Sequence, residues 1–185
     1  MASLQKLTIL VTLISSVLCF FSSQSINANT DFLTQACKST TEEQLCTDIL
    51  KNDKQITAAA TKELDLGLAI MKKIIPLTKT THDYTLKKKA ENPAYASCEQ
   101  EWLDMVSGFE RILEHTTKNK GFIEDTDDYD FHNVGEAAGR CKTSLEQNKI
   151  VDPEINKAGD TVMTLIAAGT QPLSHLKLIS EGKIK

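Results

Sequence analysis

The fold class follows from residues 92–112, which read NPAYASCEQEWLDMVSGFERI. Asn92 and Pro93 are a helix start signal, an N-cap followed by proline at the first helical position. Apolar side chains then recur every three or four residues, at Tyr95, Cys98, Trp102, Met105, Phe109 and Ile112. This spacing predicts an amphipathic helix that buries one face and ends near Gly121.

The segment before residue 92 predicts a short helix and a long one. The short helix is expected from Thr41 to Lys51, with Thr40 and Glu43 as a capping box at its start. Apolar residues at helical spacing then begin at Ile56, and we expect Pro76 to kink or end this second helix.

The remaining segments are also helical in pattern, and strand patterns are absent. Residues 77–90 are expected to form weak helix or loop, whereas Asp127 or Asp128 can cap another helix. Asp152 followed by proline starts the last helix. Four long helices with short connections predict an all-α, up-and-down four-helix bundle preceded by a short N-terminal helical hairpin.

Residues 1–25 have the layout of a secretory signal peptide. Lys6 precedes an apolar run from Leu7 to Phe21, and small uncharged residues follow it, so cleavage is expected near Ser25. A helix that spans a bilayer needs about 20 apolar residues, and this run is shorter. We therefore expect secretion to the extracellular space.

Cleavage after residue 25 leaves a chain of single-domain length, with a domain at 26–171 and a C-terminal tail at 172–185. The whole chain has a net charge of −4, and losing Lys6 makes it more negative. Nucleic-acid binders need a basic face, so nucleic acid is not expected as a partner. Membrane binding is not expected after cleavage either.

Four cysteines remain after cleavage, because Cys19 lies in the signal peptide. An even number in an oxidising compartment implies two disulfides. Of the three possible pairings, the local one is simplest, since the first two cysteines are close in sequence. The expected bridges are Cys37–Cys46 and Cys98–Cys141. Neither pair has the short spacing of zinc ligands.

We expect no catalytic residues, no cofactor and no metal, and hence no enzyme. The four histidines do not form the Glu-x-x-His pairs of di-metal bundles, and a Gly-x-Ser-x-Gly motif is absent. Five carboxylates between Glu124 and Asp130 resemble a calcium loop, but Asp130 stands where that loop needs glycine. Acidic residues here would instead favour the dipole of a helix start.

Several short motifs surround the cysteines. They are Cys37-Lys-Ser-Thr40, Gln44-Leu-Cys46, Tyr95-x-x-Cys98-x-x-x-Trp102, Asp128-Tyr129 and Ala137-Ala-Gly-Arg-Cys141. Together they resemble the plant family of invertase and pectin methylesterase inhibitors, over about Asp31 to Gly169. The resemblance implies the same bundle, hairpin and bridges. It also implies stoichiometric inhibition of a cell-wall or vacuolar enzyme whose substrate cleft the bundle covers.

The resemblance leaves two targets, a plant pectin methylesterase and an acid invertase. Invertase inhibitors of the best-described type have a Pro-Lys-Phe triplet before the fourth cysteine, and Tyr129-Asp130-Phe131 keeps only its phenylalanine. Pectin methylesterase inhibitors often have an Asp-Tyr pair here, as in Asp128-Tyr129. The esterase is therefore the expected target, with Asp128, Tyr129 and Phe131 as contacts. The spacing of Phe131 to Val134 equally fits a core position.

A further alternative keeps the fold without the inhibition. The same bundle could serve as a secreted carrier or signalling partner, because one fold hosts many functions. In each case the expected location is the apoplast or cell wall, with the vacuole as an alternative.

Overall fold

The computed structural model describes the backbone of residues 32–121 and 126–180, with all their side chains except those of 126–129 and 175–180. This part of the chain contains helices and no strands, as predicted. The elements are α1 at 32–38, α2 Glu43–Asn52, α3 Lys54–Ala59, α4 Glu63–Glu91, a 3-10 turn Pro93–Tyr95, α5 Ala96–Asn119, α6 Thr126–Gln147 and α7 Pro153–Ser180.

The four long helices form the predicted up-and-down bundle. Both α4 and α6 pack against α5 and α7, so α4 and α6 are diagonal to each other. The core is apolar and includes the completely buried side chains of Leu66, Ile70, Trp102, Phe109 and Val162. Within the described residues, no helix is both long enough and apolar enough to cross a membrane.

The N-terminal hairpin of α1 and α2 is part of the same core. The predicted bridge between Cys37 and Cys46 joins its two arms, with their Cα atoms 5.5 Å apart. Leu50 of α2 is completely buried. The Ser39 hydroxyl donates to the Ala36 carbonyl at 2.8 Å and also lies 3.3 Å from the Ala167 carbonyl, which places the hairpin against α7.

The predicted capping box at the start of α2 was wrong. Glu42 is the N-cap of α2, and its side chain makes no capping hydrogen bond. The Thr40 hydroxyl and backbone N–H instead donate to the carbonyl of Cys37, at 2.8 and 3.0 Å. Thr40 therefore closes the end of α1, because the disulfide turn brings that free carbonyl within its reach.

The long helix predicted from Ile56 is divided in two, since the backbone is extended at Lys62, between α3 and α4. α4 then runs through Pro76 to Glu91, so residues 77–90 are helical, the loop predicted as an alternative was wrong, and Pro76 does not end the helix. Its buried face continues as three threonines whose hydroxyls donate to carbonyls one turn back, so none of these three hydroxyls is left unpaired in the core. These are Thr78, Thr81 and Thr85.

The start signal at Asn92 is confirmed. Its side-chain oxygen accepts a hydrogen bond from the Ala94 N–H at 3.0 Å, and a 3-10 turn leads from there into α5. α5 ends at Asn119, close to the predicted Gly121, with Lys120 in a left-handed conformation at φ 55°.

Asp152 joins three elements through one buried carboxylate. Its Oδ1 accepts from the backbone N–H groups of Glu154 and Ile155, which confirms the predicted N-cap of α7. Its Oδ2 accepts from the hydroxyls of Tyr84 on α4 and Tyr95 in the 3-10 turn, at 3.0 and 2.9 Å. Burial, and then the bond to Asp152, raise the pKa of Tyr95 to about 12, so this hydroxyl remains a donor.

A second buried carboxylate, Glu99 of α5, connects α5 to α4. Its Oε2 accepts from Lys89 Nζ at 2.8 Å, and its Oε1 lies 3.2 Å from His82 Nε2. The hydrogen bond from Lys89 lowers the pKa of Glu99, although burial acts in the opposite direction. The carboxylate therefore stays charged to a lower pH than an isolated glutamate.

α7 continues past residue 171, where we expected the domain to end and a tail to begin. Leu173 is completely buried, and a Cβ added at Gly67 would lie 2.7 Å from its Cδ2 atom. The first residues of the segment 172–185 are thus packed against the start of α4. Residues 181–185 lie outside the described part of the chain.

We expect Asp152→Ala to lower the free energy of unfolding by about 3 kcal/mol, because it removes a helix cap and leaves two tyrosine hydroxyls without an acceptor. Urea unfolding followed by the fluorescence of Trp102, the single tryptophan, measures this. Asp160→Ala, at an exposed position of the same helix, is the control and should cost less than about 0.5 kcal/mol. Equal losses in both variants would contradict the role of Asp152.

The pKa of Glu99 predicts a pH dependence. Because its folded-state pKa is below the ordinary 4.5, Glu99 stabilises the fold fully above about pH 4.5 and loses this effect as the pH falls through the folded value. Glu99→Gln should therefore cost about 1–3 kcal/mol at pH 6, and less as the pH falls below 4. The control Glu91→Gln removes an exposed pair with Lys88 and should change little. A loss for Glu99→Gln that is constant from pH 6 to pH 3 would refute this assignment.

Candidate binding surface

A cleft of about 350 Å³ runs along the surface between α5 and α6. We call it the α5/α6 cleft. Charged, polar and apolar side chains of both helices line it. They are Asp104, Met105, Ser107, Arg111, Asp130, Asn133, Val134, Ala137 and Arg140.

One end of the α5–α6 contact is fixed by a disulfide and an arginine. The predicted bridge between Cys98 and Cys141 is present, with the Cα atoms 4.3 Å apart. Beside it, the Arg140 guanidinium donates to both carboxylate oxygens of Glu101, at 2.7–3.0 Å, and to Glu136 at 3.4 Å. The bond to Glu101 raises the pKa of Arg140. A covalent link and an ion pair therefore hold this end together.

The middle of the contact depends on a glycine. A Cβ added at Gly108 would lie 2.3 Å from Cγ1 of Val134, which is too close for any side chain. The absence of a side chain at this position lets the backbone of α5 approach α6. Val134 then fills the space and forms part of the floor of the cleft.

The other end of the contact is held by Arg111 and Asp130. Nε and Nη2 of Arg111 donate to Oδ2 and Oδ1 of Asp130, at 3.3 and 3.0 Å. Asp130 is buried, whereas Arg111 is more than half exposed. The hydrogen bond raises the pKa of Arg111. This bidentate pair fixes both the distance and the angle between the two helices.

The described part of α6 begins at Thr126, so Asp127 and Asp128 lie within its first turn rather than before it. The side chains of Asp128 and Tyr129 are outside the described residues, and their role as partner contacts stays a prediction. Phe131 is only 7% exposed and belongs to the hydrophobic core, the alternative that its spacing to Val134 indicated.

The acidic segment that resembled a calcium loop is only partly described. Glu124 and Asp125 lie outside the described residues, and the carboxylate of Asp130 is bonded to Arg111. In the part of the chain that the structure describes, no three His, Cys, Asp or Glu side chains are grouped to hold a metal ion. The cleft offers hydrogen bonds and charges, which suit recognition of another molecule.

Sequence reasoning did not identify Arg111, and the signal that could have done so is the disulfide. Arg111 lies 13 residues after Cys98, and Asp130 lies 11 residues before Cys141. In antiparallel helices joined by that bridge, these two positions lie at nearly the same distance from the disulfide along the helix axis. Opposite charges at matched positions would then have predicted an ion pair.

A second cleft, of about 410 Å³, lies between α4 and α7. Its lining is more apolar and includes Leu77, Thr80, Tyr84, Ala158 and Thr161. Because α4 and α7 are the other two helices of the bundle, this cleft lies opposite the α5/α6 cleft.

Comparison with known proteins identifies the family. A family model described as plant invertase/pectin methylesterase inhibitor matches residues 31–170. The chain belongs to this family. Proteins of this family are inhibitors and not enzymes, which fits the expectation that this protein is not an enzyme. The comparison with curated proteins gave no match.

Two solved structures of pectin methylesterase inhibitors are similar to this chain. The crystal structure of a mutant form A from Arabidopsis is 15% identical, with a TM-score of 0.66, and the match covers 77% of this chain and 95% of that one. A pectin methylesterase inhibitor from Arabidopsis thaliana is 17% identical, with a TM-score of 0.41, and the match covers 77% and 93%. The first likeness shows that the fold is shared.

Proposed function

We propose that this inhibitor is secreted, binds a plant pectin methylesterase and covers the substrate cleft of that enzyme. Membership of the family supports the inhibitory role. The signal-like residues 1–25 support secretion to the apoplast or cell wall, with the inhibitory domain beginning at residue 26 and including the packed part of α7 beyond residue 171.

The start of α6 favours the esterase over an acid invertase. Tyr129-Asp130-Phe131 is the counterpart of the triplet of invertase inhibitors. In this chain the carboxylate of Asp130 is buried against Arg111, and Phe131 is in the core. With α6 folded in this way, two of the three counterpart residues cannot enter an invertase active site. Acid invertase is the alternative target, because the family includes inhibitors of both enzymes.

The α5/α6 cleft and the adjoining first turn of α6 form the docking surface in this proposal. A stable protein interface buries about 800 Å² on each partner. A surface held by a disulfide and two arginine pairs loses little conformational freedom on binding, which favours affinity.

The function is tested by titrating the mature chain, residues 26–185 with both disulfides formed, against a plant pectin methylesterase and an acid invertase near pH 5 and pH 7. Inhibition of the esterase alone, saturating near one to one, is expected. Inhibition of invertase alone would mean that the target is an acid invertase and not a pectin methylesterase. Inhibition of neither enzyme, with displacement of a fluorescent fatty acid, would support a carrier instead.

We expect Ser107→Phe to weaken inhibition at least tenfold, about 1.4 kcal/mol, because it places a bulky ring in the α5/α6 cleft. Thr80→Phe is a matched control in the α4/α7 cleft. Both positions are exposed, lie within a long helix and have a hydroxyl bonded to the carbonyl four residues earlier. The control should inhibit like the unmodified protein. Equal inhibition by both variants would exclude the α5/α6 cleft as the docking surface.

A further inference from the structure

The Arg111–Asp130 pair is the described α5–α6 link closest to the start of α6. Four links follow one another along this contact: the disulfide, the pair of Arg140 with Glu101, the close approach at Gly108, and the pair of Arg111 with Asp130. Asp130 lies only four residues after Thr126, where the described helix begins. The Arg111–Asp130 pair therefore restrains the position of this first turn relative to α5.

The two partners differ in what they lose if the pair breaks. The side chain of Asp130 is 9% exposed, and that of Arg111 is 54% exposed. A buried carboxylate without a partner is strongly unfavourable, so α6 would have to move or unwind until water reached Asp130. Arg111 would remain solvated without any movement of α5. The pair therefore restrains α6 more than it restrains α5.

We propose that Arg111 is a positioning residue, which orients the first turn of α6, the turn that contains Asp128 and Tyr129, for binding to the target enzyme. The effect on inhibition rests on the proposed function. The effect on α6 does not, because it follows from the geometry of the free protein.

A double-mutant cycle distinguishes positioning from direct contact with the enzyme. Arg111→Met, Asp130→Asn and the double variant are compared in the mature, disulfide-bonded chain by their inhibition constants against pectin methylesterase. Each single variant should weaken inhibition at least tenfold. The inhibition constant of the double variant should be no higher than that of the single variant that inhibits less well. If Asp130→Asn inhibits within twofold of the unmodified protein while Arg111→Met is weak, Arg111 touches the enzyme itself and the proposal is overturned.

Hydrogen exchange tests the proposal without any enzyme. In Arg111→Met the backbone N–H groups of residues 130–133, which donate to the carbonyls of the first turn, should exchange at least tenfold faster, while those of residues 137–145 keep their rate. Unchanged exchange at 130–133 would overturn the proposal. If exchange rises but the unmodified protein inhibits no esterase, the proposed function fails and the positioning of α6 by Arg111 is still supported.

Lys73→Met is the matched control for a general loss of stability. Lys73 is 48% exposed and pairs at 2.8 Å with Asp53, which is 16% exposed and caps α3. This pair therefore resembles the Arg111 pair in exposure and in its place at a helix start, but it lies away from the α5/α6 cleft. The control should inhibit within twofold of the unmodified protein. A tenfold loss in Lys73→Met would mean that inhibition follows overall stability, against a specific role of Arg111.

Discussion

The disulfide between Cys98 and Cys141 fixes how far α5 can slide along α6. Closing a loop of this length, 43 residues in sequence separation, stabilises the fold by about 4 kcal/mol in the chain-entropy model. Its effect on register is equally important. A shift by one turn, about 5.4 Å, would move Gly108 away from Val134 and separate Arg111 from Asp130. The candidate docking surface exists only in the register that this bridge imposes.

Buried carboxylates connect the ends of the other helices. Asp152 caps α7 while it accepts hydrogen bonds from tyrosines of α4 and the 3-10 turn, and Glu99 holds α4 against the start of α5. Such groups are favourable in a core only when every partner is in place, so they select one arrangement of the helices. Close packing at Gly67, near the start of α4, and at Gly108, in the middle of α5, brings neighbouring helices together.

The sequence was sufficient for features that depend on local patterns. The helix at 96–119, the caps at Asn92 and Asp152, and both disulfides follow from spacing and from start signals. The features that it missed depend on tertiary contacts. α4 continues through Pro76 because buried threonines pack beyond it, and no local pattern distinguishes such threonines from those of a loop.

The candidate site was predictable only in part, for the same reason. Asp128, Tyr129 and Phe131 were chosen by resemblance to a short motif, which does not specify which side of a helix faces the core. Phe131 faces inward because its position relative to Val134 places both on the buried side of α6. Arg111 was missed because its partner is 19 residues away and becomes its neighbour only in the folded bundle.

The Arg111–Asp130 pair connects the fold to the choice of target. An apolar pair of similar volume could stabilise the bundle as well, since burying a charge offsets much of the attraction between two ions. A bidentate pair differs in that it defines an angle, because both guanidinium bonds must be made at once. Asp130, the acidic residue at the position of the lysine in the invertase-type triplet, is therefore also the residue through which we propose that Arg111 orients the start of α6. In the proposed function, Asp130 thus disfavours inhibition of an invertase and also stabilises the surface that would bind the esterase.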